Sequence, residues 1–148
     1  MTDASRPRYP RVTPYLLYED VPAALAWLAA AFGFDERLRL PAEDGTVTHA
    51  EMAIGDDGVV MLGHPGPDYR DPRHGAGATA LVYVMVDDDL DAHAERARSA
   101  GATILREPQD EAYGDRRYDV EDLAGHLWSF AQQQREVPPE AWGAVTPG

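Results

Sequence analysis

The chain carries the same pattern of secondary-structure signals twice, with a spacing of 68 residues. In the first copy a strand-like segment leads to Asp20, which suits a helix N-cap, and an apolar-periodic stretch then runs to a helix stop at Gly33. In the second copy Asp88 and Gly101 stand at the corresponding positions. Three strand-like segments follow each helix. The repeat predicts two tandem β-α-β-β-β modules and an α+β fold.

Turn and breaker residues set the boundaries within one predicted domain, residues 1–148. Residues 6–11 are broken by prolines and predict an extended arm. We predict a first module at 12–63, a Pro/Gly-rich linker at 64–78, a second module at 79–131 and a tail at 132–148. The predicted strands are 12–18, 34–40, 47–54, 59–62, 79–86, 103–107, 116–121 and 126–131, and the second helix is 89–100.

Composition excludes several classes of function. The chain has no cysteine, so disulfides, thiolate nucleophiles and zinc–thiolate sites are excluded. All 13 basic residues are arginine, so no lysine can form a Schiff base. A formal net charge of -13 opposes nucleic-acid binding. No apolar run reaches the roughly 20 residues that span a bilayer, and the start lacks a signal-peptide core, so we expect a cytoplasmic protein without membrane contact.

The ending of the second module carries a family resemblance. Tyr113-Gly-Asp-Arg-Arg117, followed by Asp122-Leu-Ala-Gly-His-Leu-Trp128, resembles the YGDR…DPFGHxW ending of glyoxalase-like and bleomycin-resistance-like proteins. Together with the paired strand–cap–helix openings, it makes residues 12–133 similar to the vicinal oxygen chelate superfamily. The resemblance implies a curved mixed eight-stranded sheet with a concave ligand cup, and a homodimer.

The resemblance also implies positions for a metal site. Members like glyoxalase I hold the ion with His and Glu (or Gln) side chains on the first, fourth, fifth and eighth strands. The matching positions here are Pro14, Met61, Leu81 and Ser129. Proline, methionine and leucine do not bind hard or borderline divalent ions, and one serine hydroxyl is weak alone. We therefore expect no metal and no other cofactor.

His49 and Glu51 are the strongest polar candidates. They lie two residues apart on a predicted strand, so both point to one face, opposite Ala50 and Met52. The pair suits a general base with an orienting partner, or half of a metal site. A solvated polar rim is the structural alternative. The other histidines are predicted as a turn residue, His126, and as solvent-exposed residues, His64, His74 and His93.

An aromatic and apolar stripe is expected to line the concave face. Strand alternation assigns it Leu16, Tyr18, Met61, Leu81, Tyr83 and Met85, with Ser129 as a polar insert. Trp27 and Trp128 are expected between helix and sheet. Tyr113 and Trp142 could close the rim, and the tail could fold back and bury Trp142.

These observations favour a metal-free protein that sequesters a hydrophobic or aromatic small molecule, such as a drug or toxic metabolite; the acidic charge suits a cationic guest. The alternative is an enzyme: either a lyase, isomerase or dioxygenase of the same superfamily with a metal at an off-pattern site around His49 and Glu51, or metal-free acid–base catalysis by the same two residues. A structural or regulatory interaction module is a third reading. The predicted ligand-binding residues are His49, Glu51, Met61, Leu81, Tyr83, Tyr113, Ser129 and Trp142.

Overall fold

The computed structural model describes residues 9–148, so residues 6–8 of the predicted arm lie outside the described residues. The chain divides between Asp71 and Pro72 into two compact units. Among the described residues, each unit contains one α-helix and its own four-stranded mixed sheet, which confirms the predicted α+β class and the tandem β-α-β-β-β modules. Among the described residues, no helix is long and apolar enough to cross a membrane.

The first unit has the strand order β1-β4-β3-β2. β1 is parallel to β4, while β3 is antiparallel to both β4 and β2. Pro14 has no backbone N–H, and β1 begins only after it, so this strand is shorter than predicted. The elements are β1 (Tyr15–Leu17), α1 (Val21–Phe32), β2 (Asp35–Pro41), β3 (Val47–Ile54) and β4 (Gly58–Gly63).

The second unit repeats this arrangement with the order β5-β8-β7-β6. β5 is parallel to β8, and β7 is antiparallel to both β8 and β6. Two short 3-10 helices flank it, at Pro72–His74 and Pro139–Trp142. The main elements are β5 (Leu81–Met85), α2 (Leu90–Ser99), β6 (Thr103–Asp110), β7 (Asp115–Glu121) and β8 (Leu127–Gln133).

The helix ends follow the capping signals of the sequence, with one shift. The Asp20 side chain accepts a hydrogen bond from the Ala23 backbone N–H at 3.0 Å, and Gly33 ends α1 in the left-handed conformation at φ 77°. In the second unit Asp89, not Asp88, caps the helix, through the Ala92 N–H at 3.0 Å. The repeat of 68 residues is therefore offset by one at this cap.

One face of each sheet packs on the helix of its own unit. In the first sheet Met52 and Leu62 are fully buried on that face, and in the second sheet Trp128 and Phe130 are. The burial of Trp128 confirms its predicted place in the core. The opposite face of each sheet, called here its open face, carries the side chains that alternate with these.

Four predicted orientations are wrong. One is that of His64, which is half-buried rather than solvent-exposed, with its Nδ1 3.3 Å from the Tyr18 carbonyl oxygen. Leu16 pairs in register with buried Leu62, and Tyr18 is itself only 1% exposed, so neither belongs to the open face. His93 is half-buried rather than exposed: its Nδ1 lies 2.6 Å from the Tyr118 hydroxyl, and its ring centroid lies 4.3 Å from that of Phe130. For Leu16 and Tyr18 the cause is a shift of one residue in β1, which moves each side chain to the opposite face of the sheet.

Candidate functional site

The open face of the first sheet carries a chain of hydrogen bonds that ends on a buried carboxylate. Glu51 is only 4% exposed. Its Oε2 lies 2.9 Å from His49 Nε2, and its Oε1 accepts a hydrogen bond of 2.8 Å from the Tyr9 hydroxyl. His49 Nδ1 lies 2.7 Å from the Tyr15 hydroxyl. Strand alternation thus brings His49 and Glu51 together as predicted, and pairing between β1, β4 and β3 adds Tyr15.

The open face of the second sheet carries a different polar network. Tyr83 donates to Asp115 Oδ2 at 2.7 Å, and its hydroxyl lies 3.4 Å from that of Tyr113. The Arg117 guanidinium stands 5.2 Å from the centre of the Tyr83 ring and donates to Asp119 Oδ1 at 2.9 Å. Its Nη1 also donates to the Tyr113 hydroxyl at 3.2 Å. The guanidinium therefore ties the two tyrosines to the sheet.

Ser129 has a supporting position in this network. It is fully buried, and its hydroxyl donates to Asp119 Oδ1 at 2.5 Å. Because its polar atom is engaged and it has no exposed surface, it orients Asp119 rather than facing solvent.

The two networks occupy equivalent positions in the repeat. Tyr15, His49, Glu51 and Met61 are each 68 residues before Tyr83, Arg117, Asp119 and Ser129. The registers agree: Tyr15 and Glu51 both pair with Met61, just as Tyr83 and Asp119 both pair with Ser129. Each module therefore places a tyrosine, a nitrogen base or cation and a carboxylate on its open face.

The charges of the second network shift three pKa values. Partial burial, hydrogen bonds with Tyr113 and Asp115 and the negative charge of Asp115 all raise the pKa of Tyr83. Burial alone would raise the pKa of Asp119, but hydrogen bonds from Arg117 and Ser129 outweigh it and lower that pKa. The hydrogen bond to Asp119 raises the pKa of Arg117. Tyr83 and Arg117 therefore stay protonated, and Asp119 stays ionised, at neutral pH.

The register corrects two of the positions matched to the family's metal site. Tyr15, not Pro14, lies beside Met61, and Tyr83, not Leu81, lies beside Ser129. The corrected set contains two phenols, a thioether and a hydroxyl, which are not the imidazole and carboxylate donors that divalent ions favour. Within residues 9–148, no group of three or more imidazole or carboxylate side chains close enough to share an ion includes an open-face residue.

Apolar and aromatic surface is exposed on the second open face. Leu81, Tyr83 and Met85 alternate along β5 and are each more than two-fifths exposed. Tyr113 makes an edge-to-face contact with Trp142, with ring centroids 5.8 Å apart. Trp142 is 44% exposed, so the expectation that the tail buries it is wrong. A cavity of about 470 Å³ beside Tyr113 is lined by Gln133, Glu136, Val137 and Pro138.

Sequence reasoning missed the residues that complete both networks, namely Tyr15, Arg117, Asp119 and Asp115. The repeat itself carried a usable signal, because adding 68 residues to His49 and Glu51 leads to Arg117 and Asp119. The partnership of Tyr15 also required the register of β1, which local sequence does not specify.

Comparison with known proteins agrees with this architecture. Residues 10–130 match the family model described as Glyoxalase/Bleomycin resistance protein/Dioxygenase superfamily. An uncharacterised protein of Mycobacterium bovis is 33% identical over 132 residues, which cover 86% of each chain. The crystal structure of TioX from Micromonospora sp. ML1 is 39% identical, covers 84% of this chain and 98% of its own, and has a TM-score of 0.68.

A more distant structure shares the fold alone. The fosfomycin resistance protein FosX from Mesorhizobium loti is 18% identical and has a TM-score of 0.60. The match covers 83% of this chain and 91% of FosX.

Proposed function

Because the chain belongs to the glyoxalase/bleomycin resistance protein/dioxygenase superfamily, we propose that it binds a small aromatic molecule on the open face of its second sheet, without a metal ion. The observation that carries the proposal is the exposure of Leu81, Tyr83 and Met85 on one face of β5, next to the Tyr113–Trp142 pair. Aromatic and aliphatic side chains around a few fixed polar groups are the usual lining of a small-molecule site.

The exposed side chains supply the driving force. Covering apolar surface contributes about 25 cal/mol per Å², and aromatic pairs in offset or edge-to-face contact add about 0.5–1.5 kcal/mol. A planar guest that covers Tyr83 and reaches Trp142 gains from both terms. The cavity beside Tyr113, about 470 Å³, lies within the range of small-molecule sites.

The polar network reduces the cost of binding. Tyr83 is held by Asp115 through its hydroxyl and by Arg117 over its ring. Arg117 is in turn held by Asp119. Side chains that are already ordered lose little entropy when a ligand arrives, so more of the contact energy is available as affinity.

The charge of the chain selects among guests. A formal net charge of -13 lowers the local concentration of anions and raises that of cations. We therefore expect neutral and cationic aromatic compounds to bind more tightly than anionic ones of the same shape, with the difference decreasing as salt is added.

Metal independence rests on the donor set. The four family positions, two of them corrected by the register, lack strong donors, and His49 and Glu51 bind each other. Those two side chains offer two ligands, whereas structural and catalytic zinc sites use three or four protein ligands. The alternative of a metal-dependent lyase, isomerase or dioxygenase at His49 and Glu51 therefore has less support.

A fragment screen tests the proposal. Neutral, cationic and anionic mono- and bicyclic aromatic compounds are screened by saturation-transfer difference NMR, and the best compound is titrated by calorimetry. We expect binding in the micromolar range and a loss of about tenfold, or 1.4 kcal/mol, in Tyr83→Ala. Leu40→Ala, a change at an exposed apolar residue of the first unit, is the control and should bind as wild type does.

Two results would count against the proposal. The first is the absence of any compound that binds with a dissociation constant below about 1 mM, which corresponds to a binding free energy of about -4.1 kcal/mol. The second is binding that Leu40→Ala weakens as much as Tyr83→Ala does.

A further inference from the structure

The Tyr15–His49–Glu51 chain on the first open face has no place in aromatic binding by the second sheet. Exposure decreases along it: Tyr15 is 49% exposed, whereas the side chains of His49 and Glu51 are 25% and 5% exposed. A buried carboxylate, a half-buried imidazole and an exposed hydroxyl thus follow one another at 2.9 and 2.7 Å. This order is the one in which a base activates a nucleophile and a third group orients the base.

The partners of Glu51 indicate which atom donates in each hydrogen bond of the Tyr15–His49–Glu51 chain. Glu51 Oε1 accepts a hydrogen bond from Tyr9, and an ionised carboxylate can only accept at Oε2 as well. When the imidazole of His49 is neutral, it therefore donates from Nε2 to Glu51 Oε2. Its Nδ1 is then an acceptor, so Tyr15 donates its hydroxyl proton to it.

The backbone leaves room for this geometry. The Tyr15 ring lies over Gly63, where an added Cβ would be 2.5 Å from Tyr15 Cε1 and 2.9 Å from the hydroxyl oxygen. Gly63 pairs with His49 across β3 and β4. A side chain at this position would separate the hydroxyl from the imidazole, so glycine allows the two to meet.

The equivalent tyrosine of the second unit provides an internal contrast. Tyr83 has nearly the same exposure, 41%, but its hydroxyl donates to a carboxylate, Asp115. Negative charge beside a phenol opposes loss of its proton, whereas a neutral imidazole nitrogen can accept one. Two tyrosines at the same place in the repeat thus have opposite chemical settings.

We propose that Tyr15 is a nucleophile for small electrophiles with an acyl or sulfonyl centre, with His49 as its base and Glu51 as the residue that positions His49. The Tyr15 oxygen forms a bond to the electrophilic centre, and the bond to the leaving group breaks. The leaving group departs with the bonding electron pair, and the phenolic proton passes to His49 Nδ1. The step needs no metal and no other reactant.

The probe is 4-methylbenzenesulfonyl fluoride, which loses fluoride when a tyrosine oxygen bonds to its sulfur. The full chain is treated with it, and modification of each tyrosine is followed over time by peptide mass spectrometry. We expect Tyr15 to be modified at least tenfold faster than Tyr83. His49→Phe should lower the Tyr15 rate at least tenfold, and Glu51→Gln should lower it less because the base remains.

Controls separate this chemistry from simple exposure and from misfolding. His64→Phe removes a half-buried histidine that is not part of the Tyr15–His49–Glu51 hydrogen-bond chain, and it should leave the rate of Tyr15 modification unchanged. Circular dichroism checks the fold of each variant, and His49→Gln replaces His49→Phe if that variant does not fold. The proposal is overturned if Tyr15 reacts no faster than Tyr83, or if its rate is the same with and without His49.

Discussion

The Tyr15 ring occupies the space that a side chain at residue 63 would need: a Cβ on Gly63 would lie 2.5 Å from Tyr15 Cε1. The equivalent residue of the second sheet, 68 positions later, is Ala131. In the second sheet the Tyr83 hydroxyl donates to Asp115. It does not bond Arg117, the β7 residue that is equivalent to His49. The small difference between glycine and alanine thus accompanies the different settings of Tyr15 and Tyr83.

Gly63→Ala should move Tyr15 and break its hydrogen bond to His49. The clash involves the far end of the Tyr15 side chain, which is half exposed, so the ring can rotate away. Within a strand, alanine is also more stable than glycine by about 0.5–1 kcal/mol. We expect a change in unfolding free energy below about 1 kcal/mol by urea denaturation. Modification of Tyr15 by the sulfonyl fluoride should slow at least fivefold, with Tyr83 as the internal control; an unchanged Tyr15 rate would contradict this.

Asp119→Asn should destabilise the second unit in a pH-dependent way. The pKa of Asp119 is lowered in the folded chain, so its contribution is fully present above the unfolded value of about 3.9 and is lost as the pH falls through the folded value. We expect a loss of about 1–3 kcal/mol at pH 7. In urea unfolding, the gap between wild type and variant should shrink below about pH 4; a gap that is constant down to pH 2.5 would refute this linkage.

Tyr83 should resist ionisation in alkaline solution. Partial burial, its two hydrogen bonds and the charge of Asp115 raise its pKa above the ordinary value of about 10. With ¹³C at Cζ of every tyrosine and the signal assigned by Tyr83→Phe, NMR at pH 11 should show Tyr83 still protonated. N-acetyltyrosinamide in the same buffer is the reference for an ionised ring, and a Tyr83 signal that moves together with it would show the expectation to be wrong.

Asp122→Ala should be among the most damaging changes in the second unit. Asp122 is 1% exposed and accepts hydrogen bonds from the backbone N–H groups of Ala124 and His126 and from the indole of Trp128. Removing it leaves buried donors unsatisfied, which costs about 1–3 kcal/mol for each group. We expect at least about 3 kcal/mol in denaturant unfolding.

The control for this change is Asp110→Ala. Asp110 is an exposed partner of Arg116, and exposed ion pairs contribute little to stability. Equal destabilisation by the two variants would contradict the role assigned to the buried Asp122.

Much of the fold follows from local signals in the sequence. Asp20 and Gly33 bound α1, and the alternation of His49, Ala50 and Glu51 gives the faces of β3. These features depend on residues within a few positions of each other, so one sequence is sufficient. The residues before His126 likewise predict a turn, and Asp122 stabilises it by accepting a hydrogen bond from the His126 backbone N–H.

The open-face partners could not be predicted in the same way. Whether Leu16 or Tyr15 faces outward depends on the register of β1 against β4, which is set by pairing between residues far apart in sequence. The exposure of Trp142 depends on how the tail packs, and the tail sequence has no hydrophobic periodicity that would predict this packing. The homodimer that the family resemblance implies stays a prediction, and light scattering at micromolar concentration checks it.

The most direct test of the account combines metal removal with the site variant. The best aromatic compound from the screen is titrated by calorimetry into protein treated with EDTA, with metal content checked by mass spectrometry, and into untreated protein. We predict the same dissociation constant for both samples and an affinity about tenfold lower for Tyr83→Ala. Binding that disappears with the metal, or that Tyr83→Ala leaves unchanged, would contradict metal-free binding on the open face of the second sheet.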